Sequence, residues 1–134
     1  MATWNKFQSW ADNMVEVANL GTDQFVIALT NTAPVATNSV LTDLTQISYT
    51  NLSSRNLTTA SSTQTGGTYA LTFNDLVLTA SGSVGPFRYV VVFDDTPTSP
   101  ADPLVGWWDY GSSITMANGE TFTIDFTGAA ITLS

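Results

Sequence analysis

Apolar and polar positions alternate with a period of two along most of this chain, in short runs separated by turn residues. Residues 24–30 (QFVIALT) are apolar on both faces, which predicts a strand buried on both sides and central in its sheet. Residues 68–73 alternate with Tyr69, Leu71 and Phe73 on one face; Asn74 and Asp75 interrupt, and a strand resumes over 76–80. The strongest apolar run is 87–93, with Phe87, Tyr89, Val91 and Phe93 on one face and Val90 and Val92 on the other. A polar, Pro-broken loop separates it from an aromatic-rich return strand, 104–110, so 85–111 reads as a long hairpin at the centre of a sheet. A turn at 111–113 leads to a short strand, 114–116, and Asn118-Gly119 is a tight-turn signal. Phe122, Ile124 and Phe126 then point inward from 120–126, Gly128 breaks the run, and 130–133 ends the sheet. The sum is about eight short strands with regular turn signals, which predicts an all-β domain, a jelly-roll-like β-sandwich. One domain over residues 1–134 is expected from the length.

The remaining segments read differently. Trp4, Phe7, Trp10, Ala11 and Met14 recur at spacings of three and four, which predicts a short N-terminal helix over 3–14 with Thr3 as N-cap. Its aromatic face either packs on the domain's own core or meets a neighbouring subunit. Residues 41–47 fit one helical turn or a strand. Residues 49–67 (YTNLSSRNLTTASSTQTGG) are polar and almost free of acid, so an exposed arm or loop that could order against a partner is expected there, with a short strand over 55–59 at most.

Composition narrows the functional classes. The net charge is −8, with Lys6, Arg55 and Arg88 as the only cations. Such a chain is unsuited to neutralising phosphates, so neither direct nucleic-acid binding nor docking on an anionic membrane is expected. No stretch approaches the length of a membrane span. The sequence has no Cys and no His, which removes disulfides, His/Cys zinc sites, Ser-His-Asp triads and Cys-His pairs. Only 10% of residues are charged, against roughly 25% in an ordinary domain, and Ser and Thr carry the surface polarity instead. Depletion of Lys and Glu is also a property of subunit interfaces, a hint of an oligomer. MATWNKFQSW has no basic region before an apolar run, so synthesis in the cytoplasm without a signal peptide is expected.

Two constellations invite chemistry. Asp94, Asp95, Asp102 and Asp109 lie on or near one loop, where carboxylates can ligate Ca²⁺ or form a glycosidase pair. Their spacing is not that of an EF-hand, and the plainer reading is loop solvation and turn capping. No cofactor is expected. Trp107 and Trp108 are neighbours on a strand and therefore point to opposite faces. One is core; the other is buried on a second face, exposed as a sugar-stacking platform, or a subunit anchor. Arg88 lies inside an apolar strand, either near solvent at the strand start or paired with an acid such as Asp109.

The run from Asn19 to Ile47, NLGTDQFVIALTNTAPVATNSVLTDLTQI, and the segment before it resemble the opening of small structural proteins of tailed bacteriophages. FRYVVVFDDT, from Phe87, and PLVGWWDYGSSITMANGETFTIDF, from Pro103, resemble their second half. The resemblance covers most of the chain and is weakest over 49–67. It implies a capsid decoration or cement protein, part of the virion surface, with a jelly-roll or related sandwich fold. Such proteins form dimers or trimers and clamp the major capsid protein from outside. No catalytic residue carries over, so no enzymatic activity is expected. On this reading the contact residues are Trp4, Phe7 and Trp10 on the helix, and Arg55 with the 49–67 segment. The alternative is a carbohydrate-binding or host-attachment module of a tail or fibre, built on Trp107 or Trp108.

Overall fold

The computed structural model describes residues 4–126 and 130–133. The expected N-cap Thr3 and the break at Gly128 lie outside them. The described chain is all-β with one short helix: β1 (Trp4–Lys6), α1 (Trp10–Glu16), β2 (Phe25–Thr30), β3 (Thr59–Thr65), β4 (Thr68–Phe73), β5 (Leu76–Thr79), β6 (Val84–Asp94), β7 (Leu104–Met116), β8 (Thr121–Ile124) and β9 (Ile131–Leu133). All strand pairs are antiparallel, in sheets of order β1-β7-β6-β2, β3-β4-β9 and β5-β8.

The β6–β7 hairpin is the centre of the largest sheet, as its apolar load dictates. One face of that sheet, with Phe25, Ile27, Leu29, Val90, Val92 and Val105, joins Leu71, Phe73, Leu78, Ile124 and Ile131 of the two smaller sheets in a single apolar cluster. The opposite face carries Val26, Ala28, Val91, Phe93 and Leu104 under Phe7, Leu41, Leu44 and Trp107. Both faces are therefore covered, which explains why β2 and β6 are continuous apolar runs.

Four expectations change. The segment 3–14 is not one helix. Trp4 pairs with Trp108 in a strand register, and the Phe7 N–H extends the ladder to the Val105 carbonyl at 3.1 Å. Three residues apart is one face on a helix but opposite faces on a strand, so Trp4 reaches the main cluster and Phe7 the other. Second, Phe87 sits with Val90 and Val92, not with Val91 and Phe93. The β6–β7 register shifts between Phe87, opposite Ile114, and Tyr89, opposite Asp109, and the strict alternation of β6 is lost there.

Third, residues 104–116 form one strand rather than two. Gly111, at φ 84, bends it without ending it. Fourth, 49–67 is not a free arm. Leu57 is buried, Asn56 bridges Val26, and Leu52 bridges Ala80. The Ile27 N–H donates to Arg55 O, and the Leu57 N–H to Phe25 O, both at 2.9 Å. These bonds, with the Ile47 N–H on Leu29 O at 3.0 Å, close the outer edge of β2. The 41–47 segment holds one 3₁₀ turn, Leu41–Asp43, whose Asp43 carboxylate accepts from the N–H groups of Ser39 and Val40.

Candidate functional site

Phe7 is 0% exposed with its ring 4.5 Å from Trp107, and Trp10 is 2% exposed, edge-on to Phe25. Both belong to the domain's own core and have no face to offer a neighbour, which corrects their assignment as contact residues. The indole Nε1 of Trp10 is buried without a hydrogen-bond partner. Trp4 is half-buried with its ring centroid 4.5 Å from that of Trp108. It helps line a half-open cavity of about 190 Å³ with Lys6, Trp10, Met14, Val105 and Ile131. That volume is below the roughly 300 Å³ at which small-molecule pockets begin.

Arg55 is half-buried. Its guanidinium lies 3.6 Å above the Tyr49 ring centroid and donates to Ile27 O at 2.6 Å. Tyr49 in turn accepts from the Leu29 N–H at 2.9 Å and donates to Gln46 Oε1 at 2.7 Å. Burial raises the phenol above its ordinary range. Arg55 and Tyr49 together clamp the 46–57 segment onto β2.

The loop between β6 and β7 does not gather its acids into one site. Asp109 is held by Arg88 through two bonds, Nε to Oδ1 at 2.7 Å and the second amino group to Oδ2 at 3.1 Å. Both side chains are 38% exposed, so the pair forms at the sheet surface. The guanidinium, first, and the Gly111 N–H, second, hold the Asp109 carboxyl below its usual range.

Asp94 is 0% exposed at the end of β6. The Thr96 N–H donates to its Oδ1 at 3.3 Å, while Oδ2 accepts no hydrogen bond. Burial, and then the adjacent Asp23 carboxyl, push Asp94 up to about 8. Asp102 is raised by burial and by its neighbour Asp95. Asp94 thus lies beside Asp23, which precedes β2, and Asp102 lies beside Asp95 within the loop. Among the described residues no group of three or more acids is arranged to hold a metal ion.

Trp107 and Trp108 do point to opposite faces, and both are half-buried. Trp107 lies against Phe7, and Trp108 lies between Trp4 at 4.5 Å and Phe126 at 5.5 Å. Each indole is engaged by the chain's own rings.

One stretch of the exposed surface is neutral. Residues 44–74 carry a single charge, Arg55, which is turned inward. The hairpin β3–β4 presents Ser61, Thr63, Thr65, Thr68, Ala70 and Thr72 on one face. Sequence reasoning marked this segment for its polarity but missed the strand, because Ser, Thr and Gln carry no apolar alternation to reveal it. The signal was Gly66-Gly67, a two-residue hairpin turn. No known family, characterised protein or solved structure matches the chain.

Proposed function

We propose that this chain is a virion structural protein, a decoration or cement protein that binds the outside of a major capsid shell and stabilises it. The observation that supports this reading is the distribution of charge over the folded surface. The acids lie outside residues 44–74, and the exposed half of that segment is a Ser/Thr-rich hairpin with no charge. A neutral strand pair can lie against another protein without desolvating ions. The acidic remainder keeps the outward side hydrated.

The three sheets are read as a jelly-roll-like sandwich, a scaffold that leaves function to its surfaces rather than to a cleft. The partners are the major capsid protein and further copies of the chain, as a dimer or trimer. Neither nucleic acid nor membrane is a partner, and no reaction is catalysed. Its place is the capsid surface, after synthesis in the host cytoplasm. Repetition around a symmetric shell turns modest contacts into firm attachment through effective concentration.

The test uses shells assembled without this protein, heated with and without the purified chain. Addition should raise the temperature at which the shells open. An unchanged opening temperature, with the added protein still folded, would reject the proposal.

A further inference from the structure

The exposed edge of β3 carries an inference that does not depend on the shell reading. Gly66 and Gly67 have φ 60 and 87, the signature of a two-residue turn with positive φ at both positions. Such a turn is closed by a hydrogen-bonded pair, here Thr65 opposite Thr68. Alternation then directs the backbone groups of Thr63 toward Ala70 in β4. Those of Ser62 and Gln64 point away from β4. The opposite strand agrees: Leu71, the partner of Ser62, faces β9 and accepts the Ala130 N–H on its carbonyl at 2.8 Å. Among the described residues, the outward N–H and C=O groups of Ser62 and Gln64 have no hydrogen-bond partner.

Edge strands in soluble proteins are ordinarily blunted by Lys, Pro, bulges or shortness. β1 and β9 are only three residues long, and β1 ends in Lys6. The outer edge of β2 is closed by Arg55, Leu57 and Ile47. β3 is seven residues long, holds neither charge nor proline, and has its one irregularity at the far end, between Thr59 and Ser61. Among the described strands it is the longest with one edge unpaired along its whole length.

We propose that β3 pairs with β3 of a second copy, antiparallel about a two-fold axis beside Thr63. The outward groups of Ser62 then bond those of the second copy's Gln64, and the reverse, while the two Thr63 side chains lie opposite each other. The charge distribution selects a second copy as the occupant. Two chains of net charge −8 repel over most of their surfaces, and this neutral edge is where they approach at least cost. Threonine opposite threonine is a favourable cross-strand pair. A two-fold interface also closes on itself, so the pairing yields dimers rather than fibres.

The chain contains no cysteine, which makes the test clean. In the proposed pair the two Thr63 residues occupy a non-hydrogen-bonded position with Cα atoms about 4.5 Å apart, within disulfide reach. Thr63→Cys replaces one small exposed side chain by another and is compared with Val77→Cys, which is 51% exposed on β5. Under mild oxidation Thr63→Cys should form a covalent dimer at least about tenfold faster, through the higher effective concentration. The wild type should also sediment as a dimer, and Ser62→Pro, which removes an outward donor together with the Ser62–Tyr69 hydroxyl bond, should shift it toward monomer, whereas Ser62→Ala, which loses only that bond, should stay a dimer. Equal cross-linking of the two cysteine variants, or a wild type that stays monomeric at millimolar concentration, would overturn the proposal. Neither result bears on whether shells bind the chain.

Discussion

At the scale of single residues, Asp94 makes the fold sensitive to alkali. Its carboxyl is raised to about 8 by burial, with Asp23 beside it, while an unfolded carboxyl titrates near 4. The native state therefore holds a proton that the unfolded state has lost over that interval. The stability contributed is whole below about pH 4 and is lost as pH rises through about 8. Asp102, raised by burial and Asp95, acts in the same direction, whereas Asp43 and Asp109 are lowered and lose their contributions in acid. Asp94→Asn supplies a permanent donor in place of the titrating proton. Urea midpoints between pH 5 and 9.5 should fall for the wild type and stay flatter for Asp94→Asn, with the variant the more stable of the two above pH 8. Gly106 is a second sensitive position. A Cβ there would meet the Trp4 ring and lie 2.6 Å from the Asn5 carbonyl oxygen. Gly106→Ala should destabilise by roughly 1–3 kcal/mol in equilibrium unfolding, as overpacking does.

At the scale of elements, legibility followed the strength of the apolar pattern. β2, β4, β5 and β6 were readable because buried faces must be apolar and alternation fixes which residues face inward. The N-terminal segment misled for a physical reason. Spacings of three and four arise equally from a helix face and from a strand whose two faces are both buried. Cross-strand packing of Trp4 on Trp108 and Phe7 on Trp107 selects the strand. Trp10, at the start of α1, is consequently a core residue. Trp10→Ala should cost about 3–5 kcal/mol of domain stability, measured on the free protein without any particle. A loss seen only on particles would instead restore its reading as a contact.

The bulge at Phe87 and the bend at Gly111 were not legible, since both depend on how two distant strands share register. The loop acids were legible as residues but not as pairs. Asp23, far from Asp94 in sequence, comes beside it because β2 runs antiparallel to β6 with Phe25 opposite Asp94. Asn118-Gly119 was read correctly as a turn, but β7 and β8 do not pair across it; β8 pairs with β5. The Gly119 N–H on Ala80 O at 2.7 Å ties that turn to the end of β5.

At the scale of the whole molecule, the sheets form a scaffold with both faces of its largest sheet covered, and the edge of β3 is neutral and unpaired. No helix among the described residues is long and apolar enough to cross a membrane. Self-pairing through β3 and attachment to a shell place different demands on the surface. Ser62→Pro should weaken the first while leaving Ser61, Thr63 and Thr65 available to the second. If the two functions share the edge, Ser62→Pro should also lower shell protection in the heating experiment; if only the Ser/Thr face meets the shell, protection should persist at higher protein concentration. The most direct measurement of the central claim is the number of copies on a purified particle, obtained by quantitative mass spectrometry against the major capsid protein. A shell-decorating protein is predicted at on the order of hundreds of copies, in a fixed ratio to the capsid subunit, as the symmetry of a shell requires. About a dozen copies or fewer, the number a tail or fibre accommodates, or none at all, would contradict it.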